Sequence, residues 1–209
     1  MDQIVNIICA LPAVIIAFTV HEYAHARVAD ALGDPTPRMM GRLTLDPFAH
    51  IDWVGMACML LVGFGWAKPV QVRSGHFKKP RRDAMLVAVA GPLSNLFLAV
   101  AASLLYVIVL RFCLRLGTAG AVTMKILAPF VTWNSLLFAF NILPVPPLDG
   151  FKVLRGWSRH PNSGFFRFMD NYGRYVLLGL MLTGVGSWLV SFISSLVQIP
   201  MMTFAQLIL

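Results

Sequence analysis

Two histidines and one glutamate carry the first chemistry that can be read in this chain, in the stretch FTVHEYAHARVAD from Phe18 to Asp30. Glu22 is the only glutamate among 209 residues, it interrupts an apolar run, and His21 and His25 flank it. Residues four apart on a helix project from one face about one turn apart, so both imidazoles can reach a single ion. The pattern H-E-x-x-H on a helix reads as two zinc ligands with the glutamate as general base. With five histidines and one glutamate in the chain, chance would produce this flanking roughly once in two thousand shuffles, a low false-positive rate for a short motif.

The plain alternative is a set of polar groups that pack helices together. Ionisable residues at membrane depth cost roughly 2.5 to 3.5 kcal/mol each on insertion scales, and so mark a functional site with a partner. Two histidines leave a catalytic zinc one protein ligand short, since such sites usually carry three plus a water. The best candidate for the third is Asp149 in FNILPVPPLDG. It follows an apolar helix, in a segment that Pro144, Pro146 and Pro147 keep from being helical. Backbone of that kind survives in a membrane only where it lines a cavity or is buried in protein. Read alone, LDG is also ordinary turn chemistry, which leaves Asp149 as a ligand or a turn residue.

The elements that must position these groups are membrane helices. The chain is 58% hydrophobic and 12% charged, against about 25% charged in an average soluble domain, and its mean hydropathy is +0.74. This composition predicts an all-α integral membrane protein. A spanning helix needs about 20 mostly apolar residues; stretches 3–30, 84–110, 121–143 and 174–199 reach that length, and 52–66 is short enough to dip into the membrane and return. The first helix is expected from near Ile4 to about Leu32, ended by Gly33-Asp34-Pro35. His21 then lies about 25 Å along it. Around 35–75 the prolines, glycines and β-branched residues predict turns and a small β-strand or hairpin element, with an edge strand in GWAKPV.

The net charge of +8 is placed by topology rather than for nucleic acid, for which no partner role is expected. Eight Lys or Arg fall in 31–83 and five in 144–174, against Arg111 and Arg115 in the loop between. The positive-inside rule puts both basic segments in the cytoplasm and both termini outside if 52–66 dips and returns; if 52–66 spans instead, the N-terminus starts inside. No Lys or Arg precedes Arg27, so no cleavable signal is expected. Cys9, Cys58 and Cys113 lack metal-type spacing and read as small buried hydrophobes. One membrane-embedded domain over 1–209 is expected, with a core of about 3–155 and an added span at about 174–199.

With these motifs in place the chain resembles the site-2 proteases, intramembrane zinc metalloproteases of peptidase family M50. HEYAH from His21, AGPLSN ending at Asn95 and NILPVPPLDG from Asn141 to Gly150 match as they stand, and GWAKPV from Gly65 and DPFAHID from Asp46 are also similar to family segments. The resemblance covers roughly residues 15 to 155. It implies one zinc ion per chain held by His21, His25 and Asp149, with Glu22 as general base. It places Asn95 and Asn141 near the metal, steadying a substrate carbonyl or oxyanion. It also implies that Gly65, Trp66, Ala67, Lys68, Pro69 and Val70 form a strand that pairs with substrate by strand addition.

The implied substrates are single-span transmembrane proteins cut within the bilayer, in a bacterial-type cell membrane, with the active site toward the cytoplasm. The chain looks like a compact member without a PDZ-like insertion or regulatory domain. Two other classes remain open at this point: a pseudoprotease or chaperone that holds helices, and a metal or haem path. Haem is usually ligated from two faces, which histidines one turn apart do not provide. His50, in DPFAHID, could approach the site, whereas His76 and His160 read as solvated. Gly179, Gly184 and Gly186 permit close helix approach, a property many spans share whether or not they self-associate.

Overall fold

A computed structural model of the chain describes residues 2–62, 65–66, 68–113 and 118–208. Residues 63 and 64 of the short apolar stretch, Ala67 of the expected strand, and Arg115 lie outside the described residues. The helices, in order, are α1 (Asp2–Ala31), α2 (Thr36–Met39), α3 (Pro47–His50), α4 (Trp53–Val62), α5 (Pro80–Cys113), α6 (Thr118–Asn141), α7 (Asp149–Trp157), α8 (Gly164–Leu182) and α9 (Val185–Ile208). A peptide chain in lipid must satisfy its own backbone polar groups, so long apolar runs wind into helices. Val5–Ala31, Pro80–Arg111 and Val122–Asn141 are long and apolar enough to cross a membrane. This is the pattern of a multi-pass membrane protein.

The expected fourth span at 174–199 is not one straight helix. It divides into α8 and α9, which meet at 79° across Thr183 and Gly184. Gly184 has φ +77°, a left-handed conformation that glycine adopts without the Cβ penalty and that commonly ends a helix. The bent pair makes a fourth crossing only if both halves are counted as one span.

The core that positions the site is the junction of α1, α5 and α6, each packed on the other two. Val14, Ala17 and Phe18 of α1 are buried against Leu137 of α6. Ala17, small and fully buried at this seam, lets the backbones approach there, a common solution for helices that lack a hydrophobic driving force in lipid. The turn after α6 packs elsewhere: Leu143, Val145 and Leu148 are buried with Leu177 of α8 and lie against Leu189 and Ile193 of α9. The C-terminal helices therefore brace the segment that leads to Asp149.

No strand is present among the described residues, which corrects the small β element expected around 35–75 and the edge strand over Gly65, Trp66, Lys68, Pro69 and Val70. The reason lies in where the backbone donors go. Lys68 N donates to His50 O at 2.9 Å, Val70 N donates to the Glu22 carboxylate at 2.9 Å, and Pro69 has no donor. Among the described residues no neighbouring backbone lies alongside to form a ladder, and the expected turns at 36–39 and 47–50 are single-turn helices. The segment is instead tied down at its far end by Asp34, fully buried after α1. Its carboxylate accepts from Arg73 N, Thr36 N, the Thr36 hydroxyl and His76 Nδ1 at 2.6 to 3.0 Å. His76 is exposed, as expected, and is also part of that tie.

Candidate metal centre

His21 and His25 sit in the α1 register that the sequence implies, and both are buried. Their rings meet edge to face at 87°, so the Nε2 atoms converge, 3.1 Å apart. Asp149, the first residue of α7, brings Oδ2 to 3.2 Å from His21 Nε2 and 3.0 Å from His25 Nε2. Asp149 was expected in non-helical chain; the irregular stretch ends one residue earlier, at Leu148. The turn is tight because Gly150 lets α7 begin against the end of α6, where a Cβ would overlap the Ile142 carbonyl. The next glycine of consequence is Gly91 of α5, packed so closely on the imidazoles that a Cβ would overlap His25 and come within 2.7 Å of His21 Cε1.

The donor set fits a zinc ion. One atom from each of His21, His25 and Asp149 lies within 4.8 Å of the others. On the far side of each ring Nδ1 faces an acceptor: His25 Nδ1 donates to Val87 O at 2.7 Å, and His21 Nδ1 donates to Asn95 Oδ1 at 2.6 Å. A neutral imidazole carries one N–H, so both Nε2 lone pairs point at the carboxylate. Three electron-rich atoms thus converge in a buried place, which is the arrangement a cation relieves. Acceptors behind metal-binding imidazoles commonly hold the ring and its tautomer in this way.

The other residues singled out in the sequence fall around this cluster. Glu22, also buried, is not one of the converging three; its Oε2 accepts from Val70 N, and it lines a mainly apolar cavity of about 960 Å³ shared with His21, His25 and Asp149. Asn141 lines the same cavity, its Nδ2 donating to Leu137 O at 3.0 Å. Gly65, Trp66, Pro69 and Val70 border the cavity as irregular chain. Asn95 is fully buried behind His21, and its Nδ2 donates to Ala17 O and Asn134 Oδ1 at 3.1 and 3.0 Å. His50 is fully buried away from the cluster, donating from Nε2 to Thr44 O at 2.7 Å.

Sequence reasoning passed over Gly91, Asn134 and Lys152. Lys152 Nζ donates to Asp149 Oδ1 at 2.9 Å, leaving Oδ2 for the ligand position. Its signal was the i,i+3 spacing from Asp149. Asn134 had one too, as an amide in an apolar span seven residues, or about two turns, before Asn141.

Comparison with known proteins follows the same direction. The chain is 39% identical over 175 residues to "Putative zinc metalloprotease YwhC" of Bacillus subtilis, covering 83% of this chain and 80% of that protein. Two proteins described in the same words but named Rip2 also match. That of Mycolicibacterium smegmatis is 27% identical over 183 residues, 81% of this chain and 64% of the relative. That of Mycobacterium tuberculosis is 30% identical over 149 residues, 67% of this chain and 53% of the relative. No family model matches the chain, and no solved structure matches it significantly.

Proposed function

This chain belongs to the site-2 protease family of zinc metalloproteases, and we propose that it is an intramembrane endopeptidase of peptidase family M50, hydrolysing peptide bonds in or near the transmembrane segments of single-span proteins. The observation that carries this reading is the convergence of His21, His25 and Asp149 beside Glu22, on a cavity enclosed by helices of membrane-spanning length. The basic segments 31–83 and 144–174 favour a cytoplasmic placement of that cavity's mouth. We propose a bacterial-type cell membrane as its location.

His21, His25 and Asp149 would hold the zinc. Zinc so held supplies Lewis-acid polarisation of the scissile carbonyl and a water acidic enough to lose a proton near neutral pH. The Glu22 carboxylate would hold the proton of an attacking water and pass it to the leaving amine. Val70 N–H orients the Glu22 carboxylate for the transfer. Of the two asparagines, Asn141 is the one assigned to the substrate carbonyl, because it lines the cavity. Asn95 has both amide hydrogens committed to protein acceptors. A helical substrate has its peptide groups wrapped in internal hydrogen bonds, so it must unwind locally. The irregular chain at Trp66, Pro69 and Val70 borders the cavity where the unwound backbone would lie.

The test is a proteomic comparison of membranes from cells carrying wild type or Glu22→Gln. Full-length single-span proteins are expected to accumulate in the variant. Identical membrane proteomes would count against proteolysis.

A further inference from the structure

His21 and His25 are supported differently. His25 Nδ1 meets a backbone carbonyl directly, that of Val87. His21 Nδ1 meets a side chain, Asn95 Oδ1, and an amide can present either its oxygen or its nitrogen to a neighbour. The amide must therefore be fixed before it can fix the ring.

What fixes it is a chain of hydrogen bonds across three helices. Phe130 O of α6 can only accept, so the Asn134 NH2 faces it, at 2.8 Å. The Asn134 oxygen is thereby turned toward α5, where it accepts from Asn95 Nδ2 at 3.0 Å. Ala17 O of α1, also only an acceptor, takes the same NH2 group at 3.1 Å. With its NH2 pinned twice, Asn95 turns its oxygen to His21. His21 Nδ1 must then carry the proton, and Nε2 is left as a lone pair toward Asp149. Asn95 and Asn134 are both fully buried. Two buried amides at membrane depth are costly unless fully satisfied, and here the satisfaction runs in one direction only, toward the ring.

We propose that Asn134 is a positioning residue of the metal centre, acting through Asn95 to hold His21 in the tautomer that offers Nε2 to the metal. The inference rests on the reading of the cluster as a zinc site. Asn134 touches neither the ligand atoms nor the cavity, and its effect is transmitted through one hydrogen bond.

The experiment is zinc affinity of the purified full-length protein in lipid nanodiscs, by competition with a chromophoric chelator, alongside the cobalt-substituted absorption spectrum. Asn134→Ala is expected to weaken zinc binding about 10- to 100-fold, the usual effect of removing such support, and to change the cobalt spectrum. Asn134→Asp is expected to restore affinity to within about threefold, because a neutral carboxyl keeps an acceptor for Asn95 and a donor for Phe130 O. Ser135→Ala removes an adjacent hydroxyl that is equally buried and has no hydrogen-bond partner among the described residues, and should leave both readouts unchanged. Wild-type affinity in Asn134→Ala, beside a wild type that binds zinc, overturns this inference alone. A wild type that binds no zinc overturns the zinc reading and this inference with it. Should Asn134→Ala not fold, imidazole 15N spectra of metal-free wild type decide the matter: His21 protonated at Nδ1 supports the chain, and His21 protonated at Nε2 overturns it.

Discussion

The imidazoles of His21 and His25 are backed by groups of the long helices α5 and α6, whereas the carboxylates of Asp149 and Glu22 are met by Lys152 of the short helix α7 and by the irregular chain at Val70. On the helical side, two turns of α1 lie against α5 at Gly91, and the imidazoles are backed by Val87 O and by the amides of Asn95 and Asn134. On the other side, Asp149 follows a proline-rich turn and is steadied by Lys152, and Glu22 is met by the backbone of Val70. Behind the first side stand Asn95 and Asn134, both fully buried. On the second, Val70 and Lys152 line the cavity that the proposed substrate would enter. The proposed protease would then have two ligands set by buried helix contacts, with its base and third ligand beside chain that a substrate must pass.

The difference can be broken first on the helical side. Gly91→Ala places a methyl group on both imidazoles, and zinc affinity should fall by more than about a hundredfold, above the range for loss of a supporting hydrogen bond. Chelator competition measures it; affinity near wild type would show the helical side to be softer than its packing implies.

On the open side the expected effects are smaller. Lys152→Ala frees Asp149 Oδ1 and should weaken zinc binding by about tenfold, the lower end for such partners, because the lysine is largely exposed. Lys152→Arg should recover most of it. Val70→Pro removes the N–H that Glu22 accepts from while leaving the ligands untouched. Zinc content should stay constant as cleavage falls several-fold. A rise in cleavage would instead mark the 65–72 segment as a plug over the base.

The smallest effect lies at the tie beyond both sides. Burial would raise the Asp34 carboxyl, but hydrogen bonds from His76, Thr36 and Arg73 N outweigh it and bring it to about 2. Because its folded value lies below the unfolded one, the stabilisation it gives is full above about pH 4 and is lost as pH falls toward 2. Thermal unfolding of wild type should show that loss between pH 4 and 2. In Asp34→Asn the midpoint should drop by a few degrees at neutral pH, and the acid dependence should flatten.

The same contrast explains what could be read in the sequence. The relation of His21, Glu22 and His25 was legible because helix period fixes it within one element. Asp149 was legible as a carboxylate placed just after an apolar helix, and the structure brings it to the histidines. The direction in which Asn95 turns was not legible, since Ala17 O, Phe130 O and His21 come from different places in the chain and meet only on packing. GWAKPV carries the composition of an edge strand, yet a strand needs a partner backbone, and here the donors go to His50 O and a side-chain carboxylate. The last apolar run hid its break because a glycine in a span looks the same whether it lets helices approach or, like Gly184, takes a positive φ.

Glu22 decides whether the chain cuts its partners or only holds them. In proteoliposomes carrying wild type or Glu22→Gln together with a single-span protein that accumulates in the variant's membranes, cleavage and bound zinc are measured on the same samples. One zinc per chain in both proteins, with cleavage in wild type alone, is the predicted result. Cleavage by the zinc-loaded Glu22→Gln at the wild-type rate would contradict it.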